Sequence, residues 1–193
     1  YSDLAAEDIL NNKILKVYQD LSDLDKVFII STRNFDRSNV VDDNYDYTYL
    51  YDLENEEDLY SPYGRNIVVD KNYLKRHKIK SVNGKNAADM IDIDGDVLNI
   101  LVPQKYKKYE RVIENSFKDW FYFQRVTVTN MYRMASNKTE IHKDIDDLNI
   151  NIIYIENNQK YFTYNPYAGD SKNTIEDTIV TVYTENIDAS NLG

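Results

Sequence analysis

The sequence predicts an α+β fold, with mixed or antiparallel sheet built from short strands and two main amphipathic helices. Three observations carry that expectation. Short apolar, β-branched runs bounded by turn residues recur along the chain, among them KVFIIST at 26–32, NIVVD at 66–70 and DTIVTVYT at 177–184. Two longer stretches instead space their apolar residues at helical period. No internal repeat and no Gly/Ser- or Pro-rich linker interrupts the 193 residues, so a single domain over 1–193, or two small lobes sharing one core, is expected.

The first helix is expected over residues 3–20, behind Ser2 or Asp3 as N-cap. Its apolar face would be Leu4, Ile9 or Leu10, Ile14, Val17, Tyr18 and Leu21. A strand at 26–32 follows. Residues 38–64 then carry Asp42, Asp43, Asp46, Asp52, Glu54, Glu56, Glu57 and Asp58 without a single Lys or Arg. Within them Tyr45, Tyr47, Tyr49 and Tyr51 alternate with Asp46, Thr48, Leu50 and Asp52, a period of two that places four rings on one strand face. A strand at 66–70 leads into a short basic helix, Lys71 to His77, with Asp70 as its cap. Asp94-Gly95 lies between 90–93 and 97–102 and predicts a two-residue hairpin. Pro103 ends the second of those strands. The second long helix, Lys105 to about Phe121, lines up Tyr106, Tyr109, Val112, Ile113, Phe117 and Trp120. Val126 to Met131 reads as a strand and 137–148 as a polar loop or short helix. Residues 149–155 and 160–164 read as a hairpin turning at Glu156-Asn157-Asn158-Gln159, and 177–184 as the last strand.

Composition excludes several classes of function. A net charge of −10 argues against nucleic acid or an anionic bilayer as partner of the whole surface. With no cysteine there is no disulfide, thiol nucleophile or Cys-type zinc site, which fits a Gram-positive cell surface and also cytoplasm. Five glycines, at 64, 84, 95, 169 and 193, are too dispersed for a phosphate-cradling loop, and no G-x-S-x-G elbow exists. Asp92-Ile93-Asp94-Gly95-Asp96 lacks the glycine and glutamate positions of a calcium loop, so a turn is the simpler reading. His142 near Asp144, Asp146 and Asp147 reads as a solvated acidic loop. No catalytic set, metal site or cofactor is expected. The 18 tyrosines suit half-exposed faces and interfaces, although a codon bias accounts for them equally well.

Arg65 to Lys75 (RNIVVDKNYLK), Ile100 to Lys107 (ILVPQKYK), Ile152 to Ile155, Lys160 to Asn165 and Thr178 to Val180 follow one another in an order that resembles the bacteriocin-associated integral membrane protein family. The strand and short helix at 66–77, followed by Asn83-Gly84-Lys85, also resemble a unit of MacB-type periplasmic core domains. The resemblance covers most of 60–185 and leaves residues 1–59 unmatched. It implies an FtsX/MacB-like ABC permease linked to bacteriocin export or immunity, of which this chain would be an extracytoplasmic domain excised from a longer membrane protein. It further implies location outside the plasma membrane of a Gram-positive bacterium, and partnership with the permease's own membrane helices and a separate ATP-binding subunit.

Two readings of function follow. On the first, the domain is not an enzyme; it contacts a cationic peptide or a second copy, and passes movement to the membrane helices. Tyr45, Tyr47, Tyr49 and Tyr51 are its candidate contact residues, because aromatic anchors dominate interfaces; the same rings facing a core is the competing reading. On the second, those rings and nearby acids make a secreted or surface carbohydrate-binding module or glycosidase. An acidic decoy mimicking DNA would need acids spread over a face, whereas here they concentrate in one segment.

Overall fold

The computed structural model describes residues 2–22, 24, 26–35 and 56–184. In chain order its elements are α1 (Ser2–Ser22), β1 (Ile30–Ser31), β2 (Asn66–Asp70), α2 (Lys71–His77), β3 (Val97–Pro103), α3 (Glu110–Tyr122), α4 (Thr129–Ala135), β4 (Asn149–Ile155), β5 (Lys160–Phe162), β6 (Thr174–Glu176) and β7 (Ile179–Tyr183). The fold is α+β. Five strands form one mixed sheet in the order β1-β2-β7-β3-β4, and β5 and β6 form a separate antiparallel pair. Within the sheet β2 runs parallel to β7 and β3 parallel to β4, while β3 and β7 are antiparallel to each other.

Both faces of this sheet are covered, which explains why its central strands read as near-continuous apolar runs, interrupted by Asn99 in β3 and Thr181 in β7, rather than as alternating ones. Along β3, Leu98, Ile100 and Val102 enter one core and Leu101 the other. Along β7, Ile179 and Tyr183 share the first, and Val180 and Val182 the second. The first core is closed by Ile113, Phe117 and Phe121 of α3 and by Tyr18 of α1. The second is closed by Tyr73 and Leu74 of α2, Ala87 and Ala88 of a short 3-10 turn, and Tyr161 and Ile175 of the β5–β6 pair.

Local chemistry accounts for the boundaries. Asp70 caps α2 by accepting a hydrogen bond from the Tyr73 amide at 2.8 Å, and Lys78, at φ 52°, ends the helix in the left-handed region. The chain after β3 enters a 3-10 turn at 104–109 before α3 begins. Tyr60 stacks on Tyr109 at 4.5 Å between centroids and fixes that entry.

Four expectations are corrected. The segment 90–93 is not a strand: the Asp92 and Asp94 carboxylates accept from the amides two residues on, at 2.9 Å each, and fold it into consecutive turns. Residues 149–155 and 160–164 do not pair with each other; β4 lies along β3, and β5 pairs with β6. The intervening turn is committed elsewhere, since Asn157 accepts from the Lys105 amide and the Asn158 amide donates to Asp177, both at 2.8 Å. Val126 to Met131 is helical: α3 runs through a π-helical segment at 123–128 into α4. Finally, α1 does not bury the predicted face. Only Tyr18 of that set is buried, and Ile9, Leu10, Ile14, Val17 and Leu21 point to solvent.

Candidate functional site

Among the described residues strand β4 ends the sheet on one side, and its outer edge is the first candidate surface. The Asn149 amide donates inward to Asp96 at 2.9 Å, whereas the Tyr154 carbonyl accepts from outside, from the Val82 amide at 2.9 Å. Alternation along the strand therefore turns the peptide groups of Ile150 and Ile152 outward. Among the described residues nothing pairs with them. An open groove runs beside this stretch, lined by Asp89, Met90, Ile91, Asp92, Val97 and Asn149 to Asn151. Its inner wall is tied together by hydrogen bonds. Buried Asn99 accepts from the Asp92 amide and from the Asn151 side chain, both at 2.8 Å, and donates back to the Asp92 carbonyl at 2.7 Å. Asp89 and Asp92 are exposed and give the rim a negative charge. An unpaired edge beside an acidic groove can accept an extended basic segment by adding it as a further strand.

The second feature is an aromatic surface around His77. Its ring stacks on Tyr73 at 4.2 Å, and its Nε2 lies 3.1 Å from the Tyr164 hydroxyl. Phe28 meets Tyr73 edge-on and packs against Tyr164 at 5.0 Å, and Phe162 meets Tyr164 edge-on at 4.7 Å. The Tyr73 hydroxyl donates to the Phe162 carbonyl at 2.9 Å, which ties α2 to β5. Desolvation, with the neighbouring Arg76 charge, holds His77 below the ordinary histidine pKa. Phe162, Tyr164 and Tyr167 remain exposed.

The chain matches no family model, no curated protein and no solved structure. Function is therefore argued from the residues. Tyr45, Tyr47, Tyr49 and Tyr51, the predicted contact set, lie outside the described residues. The Asp92–Asp96 segment is built from turns, and Asp96 pairs with Lys143 and with Arg125 of the π-helical segment. Around His142 the acids serve the backbone or neighbouring charge. The Asp147 carboxylate accepts from the Asp144 amide at 2.9 Å, and Asp146 lies 3.7 Å from Lys118. Among the described residues no group of three or more His, Cys, Asp or Glu is placed to hold a metal, and no helix is long and apolar enough to cross a membrane.

Sequence reasoning missed both features because each depends on contacts distant in sequence: the edge on strand order, and the aromatic surface on the packing of α2 against β5 and Phe28. The alternation of Asn149 and Asn151 with Ile150 and Ile152 did carry a usable signal, that of a strand with one polar face. Nothing local says that the strand is an edge.

Proposed function

We infer that the chain is a non-catalytic, extracytoplasmic domain of an ABC-type permease associated with bacteriocin export or immunity, which contacts peptide and passes movement to the membrane helices. The observation that carries the contact role is the outward-facing, unpaired backbone of Ile150 and Ile152 beside the acidic groove. The permease setting rests on the ordered resemblance, whose segments fall on β2 with α2, on β3, on β4, on β5 and on β7. These elements include four of the five strands of the main sheet, so the resemblance concerns the scaffold that holds the edge in place.

The experiment has two arms. Fractionation of cells expressing the full-length gene product should find it in the membrane, with this domain open to external protease; a wholly soluble product overturns the permease setting. Titration of the isotopically labelled chain with an extended, lysine-rich peptide should shift the amides of 149–155 and 89–92. Ile150→Pro, which removes one outward N–H at an edge where proline is tolerated, should abolish those shifts. Shifts elsewhere, or none, overturn the contact role.

A second reading is supported by exposed Phe162, Tyr164 and Tyr167: a carbohydrate-binding module stacking sugars on these rings. Oligosaccharide binding that Tyr164→Ala removes would favour it.

A further inference from the structure

Helix α1 has two apolar faces, and among the described residues the fold uses one. Its inner face carries Leu15 and Tyr18, which pack toward the core under α3, together with Asp8. Asp8 accepts from Ser136 at 2.8 Å and pairs with Lys138 at 2.5 Å, while Glu7 accepts from the Tyr132 hydroxyl of α4 at 3.2 Å. Polar side chains thus turn toward the molecule. Leu10, Ile14, Val17 and Leu21 turn away from it, with Leu10 56% and Val17 57% exposed. A surface helix ordinarily shows the reverse.

The spacing of the outward set identifies what covers it. Leu10, Ile14, Val17 and Leu21 are separated by four, three and four residues, the alternation of a coiled-coil seam. At 3.6 residues per turn they fall within an arc of about 60°. Leu24, also exposed, continues the pattern by three. The 4-3-4 order reads the same in both directions, so two copies laid antiparallel bring Leu10 against Leu21 and Ile14 against Val17, twice over. Charge selects that direction. Lys13 and Asp20 are both exposed and lie on one flank of the seam, seven residues apart. In an antiparallel pair this flank meets its own copy, and Lys13 of each chain faces Asp20 of the other. In a parallel pair it would meet the opposite flank, where Asn11 and buried Tyr18 stand. A bilayer is a poor alternative, because α1 carries Asp3, Glu7, Asp8 and Asp20 against Lys13 and Lys16.

We propose that α1 is a dimerisation helix, pairing antiparallel with α1 of a second copy through Leu10, Ile14, Val17 and Leu21. The inference names one partner for the interaction domain argued above but rests on α1 alone, so its failure would leave the membrane and peptide tests standing. With only three turns of seam the interface is small, and association is expected at the weak, roughly micromolar end of specific interfaces.

Sedimentation equilibrium of the 193-residue chain tests it. The apparent mass should climb with concentration from 22.8 kDa toward twice that value. Val17→Glu, at an exposed position, should hold the chain monomeric with an unchanged circular dichroism spectrum. Lys13→Asp should weaken dimerisation about threefold at low salt, and Lys13→Asp combined with Asp20→Lys should restore it. A monomer at every concentration overturns the proposal. So does a dimer indifferent to Val17→Glu, which would place the interface elsewhere, at the β4 edge for example. Failure of the double charge swap to restore a dimer that Val17→Glu disrupts overturns the antiparallel arrangement. Flotation of the chain with phosphatidylglycerol vesicles, abolished by Val17→Glu, would assign the stripe to a bilayer and also overturn it.

Discussion

At the scale of single residues, buried polar groups make the sharpest statements about stability. Asp70 is 1% exposed, caps α2 and accepts from the Tyr18 hydroxyl of α1 at 3.3 Å. Burial raises its pKa, against hydrogen bonds from Tyr73 and other partners that pull it down. A carboxyl whose folded pKa exceeds its unfolded one gives a contribution fully present below the unfolded pKa and lost as pH rises through the folded value. Asp70→Asn keeps an N-cap acceptor and removes the charge. The variant should therefore be more stable than the parent in urea at pH 7, with the advantage shrinking as pH falls through the raised pKa of Asp70 and gone below about 4. An advantage that grew in acid would show that ionised Asp70 is favoured by its surroundings. Tyr161 makes a second case. Its ring is fully buried, and its hydroxyl has no hydrogen-bond partner among the described residues. An unsatisfied buried hydroxyl costs free energy, so Tyr161→Phe should raise unfolding stability by about 1 kcal/mol. A loss of that size in urea denaturation would reveal a partner for the hydroxyl.

At the scale of elements, the two long helices separate what periodicity can tell from what it cannot. In α3 the predicted face is the buried one: Ile113 and Phe117 are fully enclosed, and Val112 and Trp120 are half-buried beside them. Phe117→Ala should cost about 3–5 kcal/mol, measured by urea unfolding. Leu10→Ala on α1 should change the stability of the monomer by no more than about 0.5 kcal/mol. Both residues sit at helical spacing in the sequence, and only the packing distinguishes them. In α1 the expected stripe merged two faces, because Tyr18 belongs inside while its neighbour Val17 belongs outside. Strand β3 was legible for the opposite reason. A strand buried on both faces needs no particular phase, and VLNILV with a terminal proline marks it from either side. Asp70 likewise announced α2, since a cap acts within three residues. The partner of β4 was not legible. β3 lies some fifty residues upstream, and the polar turn at 156–159 suggested a local hairpin instead, although its side chains and amides bind Lys105 and Asp177. The edge of β4 stayed hidden with that pairing.

At the scale of the whole molecule, sheet order sets which parts open first. Strands β3 and β7 lie inside the sheet, bonded on both sides and buried by both cores. Among the described residues helix α1 is held from one side only: by Glu7 on Tyr132 of α4, by Asp8 on Ser136 and Lys138 just beyond α4, and by Tyr18, which meets Tyr183 edge-on at 5.2 Å and reaches Asp70. Its other apolar face, Leu10, Ile14, Val17 and Leu21, is exposed. Local opening free energies follow such differences in enclosure, from near zero up to the global value. Native-state amide exchange at dilute, monomeric concentration should therefore show three classes. Amides of 99–102 and 180–182 should exchange only through global unfolding, with the full denaturant dependence of that reaction. Those of α1 should exchange through a smaller, sub-global opening with a shallower dependence, and the outward amides of Ile150 and Ile152 should exchange fastest within β4. Raising the concentration into the range where α1 pairs should slow α1 and leave β3 and β7 unchanged, because a ligand that binds only the closed helix stabilises that unit by mass action. If α1 and the central strands exchanged with one common dependence, the helix would be part of the global unit, and its outward stripe would be a feature of a rigid surface.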